Sequence, residues 1–134
     1  MSEARDFAQV VKVICTHDSR YAPEAYHFIR AALDATIKKI METEQSCQRR
    51  HVSGQELSRG ACNFALEAYG PIASTLLGHW GITRTRDFGE LVYVLIEYEL
   101  FSRTDEDRIE DFDEVFDLVA DLEAPYLPPK RSGK

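Results

Sequence analysis

No stretch of this sequence approaches the ~20 consecutive apolar residues that a membrane-spanning helix requires, although 44% of its residues are apolar by type. The opening run from Met1 to Asp6 carries too much charge for a secretory signal. A cytoplasmic protein with no membrane partner is therefore expected. Cysteine is scarce and unpaired in pattern: Cys15, Cys47 and Cys62 are odd in number, far apart and free of any Cys-x-x-Cys spacing. That excludes a secreted disulfide framework and the common redox and zinc signatures, and leaves the thiols as reduced packing residues. The seven glycines form no phosphate-cradling loop. At 134 residues the chain has room for one hydrophobic core and not for two.

Basic charge is also in short supply, with 16 Lys and Arg against 23 Asp and Glu for a net charge of −7. This disfavours indiscriminate attraction to nucleic acid or anionic membrane. The deficit is local. From Asp105 to Glu123 ten acidic residues face Arg108 alone, so this segment carries −9 and the rest of the chain +2.

Helical periodicity dominates what is present. Phe7, Val10, Val11 and Ile14 share one stripe of a helix over residues 5 to 17. Pro23 suits the first turn of a second helix reaching about Glu44, with Tyr26, Ile29, Ala32 or Leu33, Ile37, Ile40 and Met41 inside and Arg30, Asp34, Lys38 and Glu42 outside. Ser53 and Glu56 have the spacing of a capping box, opening a third helix to Tyr69, where Gly70 offers a left-handed cap. Pro71 begins a short helix closed by Gly81. Asp87 with Glu90 suggests another cap before an element from Phe88 to Phe101, apolar on nearly every side, for which a helix is favoured over a strand. A last helix, capped by Thr104 or Asp111, is expected to align Phe112, Val115, Phe116, Val119 and Leu122 and to end at Pro125.

The expected fold is all-α: a compact bundle of five or six helices over residues 1 to 126, with room for a minor β element near Arg49 to Val52 or after Phe101. Its core is expected to hold Phe7, Ile14, Ile29, Phe64, Leu76, Trp80, Phe88, Leu95, Phe112 and Phe116. Residues 127 to 134, rich in proline and basic residues, are expected to be a disordered tail.

Four runs, Tyr21-Ala-Pro-Glu-Ala-Tyr-His-Phe, His51-Val-Ser-Gly-Gln-Glu-Leu, Tyr69-Gly-Pro-Ile-Ala and His79-Trp-Gly-Ile-Thr-Arg-Thr-Arg-Asp-Phe-Gly-Glu-Leu-Val, together resemble a conserved hypothetical protein family associated with planctomycetes and verrucomicrobia. The resemblance spans roughly Asp6 to Tyr126 and implies no activity, cofactor or catalytic residue. The Asp87-Phe-Gly-Glu run is not the kinase magnesium motif, whose nucleotide lobe, strand lysine and catalytic loop have no counterpart in the chain.

Several residue groups have chemistry to offer. Cys15 with His17 and Cys47 with His51 supply thiols and imidazoles, but their spacings match no common zinc pattern, so no metal and no cofactor are expected. Asp105-x-Asp107 and Asp111-x-Asp113 lack the glycine and the glutamate of a calcium loop and read as a solvated acidic face. Tyr26, His27, His79 and Trp80 are candidates for one pocket, weighed against an anchoring role for His79 and Trp80. Arg49, Arg50 and His51 in one loop and Arg84 and Arg86 in another are candidates for an anion- or partner-binding face, weighed against pairing with the acidic segment.

The favoured function is a non-enzymatic module that binds another protein through its charged faces. A nucleic-acid-binding helix-turn-helix or winged-helix protein using Arg84 and Arg86 is the alternative. An enzyme pairing His79 with Glu97 or Glu56 is the third reading.

Overall fold

In a computed structural model of the chain, which describes residues 6–45, 52–102 and 108–128, six α-helices are present and no strand occurs among the described residues. They are α1 (Phe7–His17), α2 (Pro23–Glu44), α3 (Gly54–Tyr69), α4 (Ala73–His79), α5 (Thr85–Glu97) and α6 (Leu118–Glu123). Short 3-10 turns lie at Gly70–Ile72, Ile109–Phe112 and Ala124–Tyr126. The fold is all-α, and no described helix is long and apolar enough to cross a membrane. Most of residues 49–52, where a β element was expected, and the tail beyond Pro128 fall outside the described residues.

Local signals set the first three helices. Asp6 caps α1, its carboxylate accepting from the N–H of Ala8. Pro23 occupies the first turn of α2, where its missing N–H costs nothing. Ser53 and Glu56 close the expected capping box, at 3.0 Å from the Glu56 N–H to Ser53 Oγ and 2.9 Å from the Ser53 N–H to the Glu56 carboxylate. Helices α2 and α3 cross where Gly60 meets Thr36: a Cβ on Gly60 would overlap Thr36 Oγ1 and sit 2.9 Å from its Cβ. The Thr36 hydroxyl is turned back onto the Ala32 carbonyl at 2.7 Å, so this buried contact leaves no polar orphan.

α5 starts earlier than the sequence suggests, and Asp87 works from inside it. Its N-cap is Arg84, and Asp87 is the third helical residue. One Asp87 oxygen accepts from the N–H groups of Thr83 and Arg84 at 2.9 and 3.0 Å. The other accepts from the Tyr21 hydroxyl at 2.6 Å, a buried bond that ties α5 to the α1–α2 connection. Tyr21 is brought there by the 80–84 turn, in which Gly81 has φ +100° and a Cβ would stand 2.6 Å from the Arg20 carbonyl. The Ala22 N–H donates to the Trp80 carbonyl across the same junction.

The C-terminal segment departs most from expectation. No single helix aligns Phe112, Val115, Phe116, Val119 and Leu122; instead a 3-10 turn ends at Phe112, Glu114 takes φ +44°, and Asp117 caps the six-residue α6. Thr104 lies outside the described residues, and Asp111 sits within the 3-10 turn. The cause is Thr85, whose buried hydroxyl donates to the Phe112 carbonyl at 2.7 Å and accepts from the Val115 N–H at 3.2 Å. A continuous helix would need both backbone groups for itself. Gly89 completes the docking, since a Cβ there would strike the Phe112 ring at 2.7 Å.

Phe7, Ile14, Ile29, Phe88, Leu95 and Phe112 are buried as expected, whereas Phe64, Leu76, Trp80 and Phe116 are half-buried. Phe28 takes the central place instead. Its ring centroid lies 5.7 to 6.3 Å from those of Phe64, Tyr69, Trp80 and Phe88, the spacing of favourable aromatic pairs.

Two outcomes test this packing. Gly60→Ala should destabilise the protein by about 1–3 kcal/mol through overpacking, and by clearly less in a Thr36→Ala background, as read from urea midpoints. Tyr21→Phe should cost about 1.5–3 kcal/mol, the value of a buried bond to a charged acceptor. Burial, then the bond to Asp87, raises the Tyr21 pKa above its ordinary 10.0, and burial raises that of Tyr26. The unfolded chain therefore releases these protons first, so stability is full below pH ~10 and falls above it. Tyr21→Phe should make that alkaline loss shallower.

Candidate functional site

Along α2, Arg30, Leu33, Asp34 and Ile37 follow the i, i+3, i+4, i+7 spacing and so share one face. That face looks across a gap to Val92, Tyr93 and Ile96 of α5. Gly54 and Leu57 of α3 and Phe112 of the 3-10 turn line the floor, and Leu100, Phe101, Ser102, Arg108 and Asp111 complete the rim. The cleft holds about 480 Å³, within the range of ligand and peptide-anchor sites. Leu33, Val92, Ile96 and Leu100 are only half-buried because they face it.

The described arginines away from the cleft are ion-paired. Arg20 pairs with Asp18 and Glu90, Arg86 with Glu90 and Asp113, and Arg59 with Asp121 while stacking 3.9 Å over the Phe116 ring. Arg84 lies 3.9 Å from Asp87. Arg30 and Arg108 are the two described arginines with no described carboxylate within 4 Å, and both line the cleft. Arg30 instead lies 4.5 Å over the Phe7 ring, an arrangement that leaves its N–H edges open.

Asp18, Arg20, Glu90, Arg86 and Asp113 form a chain of ion pairs from the α1–α2 connection across α5 to the C-terminal segment. Burial works to raise the Glu90 pKa, but the bonds from Arg86 and Arg20 prevail and hold its carboxyl below the usual value. Arg86 is thus committed within the fold. Arg49, Arg50 and His51 lie outside the described residues, so the structure places only Arg84 and Arg86 of the two expected arginine loops.

Tyr26, His27, His79 and Trp80 do not converge on a described cleft. Tyr26 is wholly buried with its ring edge-on to Tyr21, while His27, the next residue, is exposed with its ring against Phe7. His79 is exposed at the end of α4, and Trp80 packs on Phe28 and Tyr69. Cys47 and His51 lie outside the described residues, and no cluster of three or more potential metal ligands occurs among those described. Burial comes first in raising the pKa of Cys15 and Cys62, which keeps both as thiols rather than nucleophilic thiolates.

A second surface feature lies outside the cleft. Ile72, Tyr126 and Leu127 are 58%, 47% and 61% exposed. The Ser74 hydroxyl, donating to Glu123 at 2.9 Å, draws their two segments together.

Sequence reasoning assigned Arg30 and Asp34 to a solvated helix face and gave Arg108 no role. Their signal is spatial: an apolar stripe on α2 wider than one neighbour needs, flanked by arginines with no described carboxylate within 4 Å. In comparisons with known proteins the chain matches no family model, no curated protein and no solved structure.

Proposed function

We propose that the chain is a non-enzymatic interaction module that docks a segment of another protein in the cleft between α2, α5 and the Ile109–Phe112 turn. The observation that carries the reading is the coincidence of half-buried apolar side chains with Arg30 and Arg108, the two described guanidinium groups that have no described carboxylate within 4 Å. Apolar side chains held open to solvent supply binding energy on burial, and a polar rim supplies register.

The nucleic-acid alternative draws less support. α4, the 80–84 turn and α5 follow the order of a helix-turn-helix, but Thr85, Asp87, Phe88 and Gly89 face inward at the end of α5 that would read bases. Arg86 is held by Glu90 and Asp113. The enzymatic alternative draws less still, since the Glu56 carboxylate closes a capping box and His79 and Glu97 are exposed at the ends of separate helices.

A photo-crosslinking residue at Ile96, in the cleft, should give a discrete protein adduct in native cells. The same residue at Val13, 49% exposed on α1, should give none. Equal labelling at both positions would remove the docking site. Fluorescence anisotropy with duplex and single-stranded probes should show negligible binding at about 0.15 M ionic strength. Sub-micromolar binding there, weakened steeply by salt and abolished by Arg84→Glu with Arg86→Glu, would favour the nucleic-acid reading instead.

A further inference from the structure

We infer that the occupant of this cleft is an acidic amphipathic helix, whose apolar stripe seats on Leu33, Ile37, Val92 and Ile96 and whose flanking carboxylates pair with Arg30 and Arg108. The inference rests on the docking reading above and names the chemistry of the partner. Two helices, α2 and α5, form the long walls, and a groove between helices is the form that accepts a third through anchors at i, i+3, i+4 and i+7.

The sign of the partner follows from which charges at the rim remain open. Two carboxylates also line the cleft. Asp34 is already engaged by another interaction. Asp111 packs on Gly54, the first residue of α3, where a Cβ would come within 2.8 Å of the Asp111 Cβ. Arg30 and Arg108 have no described carboxylate within 4 Å. Stacked on Phe7, the Arg30 guanidinium presents its edge, the geometry that takes a carboxylate through two parallel bonds. The net charge of −7 opposes an acidic partner only weakly at contact range, because charges beyond about 8 Å are screened at physiological salt.

The test uses the full chain and three synthetic helical peptides that share one leucine stripe and carry glutamate, lysine or glutamine at the flanking positions. Anisotropy should rank them glutamate, glutamine, lysine. Arg30→Glu with Arg108→Glu should weaken the glutamate peptide on the order of tenfold, as two exposed ion pairs would, and should reverse the ranking. Both arginines are exposed, so circular dichroism should be unchanged; Arg30→Gln with Arg108→Gln should flatten the ranking without reversing it. A lysine peptide that binds wild type as well as the glutamate peptide would overturn the acidic assignment. No binding of any peptide would overturn the helical occupant. In either case a partner adduct at Ile96 would leave the docking reading standing, and its absence would remove both.

Discussion

A single buried carboxylate, that of Asp87, decides where three parts of the chain meet. An ionised group taken out of water is costly unless it is fully hydrogen-bonded. Asp87 meets that demand with the N–H groups of Thr83 and Arg84 on one oxygen and the Tyr21 hydroxyl on the other. The bond from Arg84, the N-cap, satisfies a donor that every helix N-terminus leaves orphaned, and the bond from Thr83 fixes the residue before it. The third belongs to the α1–α2 connection and fixes α2 against the 80–84 turn. Once α5 begins at Thr85 rather than later, the Thr85 hydroxyl stands where it can capture Phe112 and Val115, and the C-terminal segment must follow. The start of α5, the seat of α2 and the path after Ile109 are one decision, and the cleft is its by-product, since α2, α5 and that turn are its walls.

Elements whose limits depend on neighbours in sequence were legible. The Ser53 and Glu56 pair, the Pro23 start of α2 and the inward stripe of α1 are all local physics, and the structure has each where the spacing puts it. Elements whose limits depend on distant partners were not. Asp87 was readable as a capping residue, but its place as the third helical residue depends on Thr83, Arg84 and Tyr21. Phe112, Val115, Phe116, Val119 and Leu122 fit helical periodicity, yet Thr85 takes the Phe112 carbonyl and the Val115 N–H that a helix there would use. Val119 accordingly ends 38% exposed on a helix that starts six residues after Phe112.

The candidate pocket shows the same limit from another side. Consecutive residues on a helix point about 100° apart, and here Tyr26 turns into the core while His27 turns to solvent, so the two rings do not meet in one cavity. The cleft, by contrast, draws on α2, α3, α5 and the segment around Arg108, separated by up to about eighty positions, and no window of sequence contains it. What the sequence does hold is the imbalance: an apolar stripe on α2 running through Leu33 and Ile37 beside Arg30, and a lone base, Arg108, inside the acidic segment.

That lone base bears on how charge is divided between the fold and the proposed docking site. The acidic end pairs with Arg59 and Arg86, and Arg20 reaches the same chain of pairs through Glu90. Such pairs are individually worth little, under about 1 kcal/mol when exposed, but as a linked chain they hold the C-terminal segment in register against α5. A cation spent this way is not free to recognise anything else. Arg108 sits among ten acids and Arg30 sits four residues from one, yet each stands away from every described carboxylate and on the rim of the same apolar cleft. In a chain with 23 acidic residues, two guanidinium groups on one apolar cleft with no described carboxylate within 4 Å are the groups that the proposed acidic occupant would pair with.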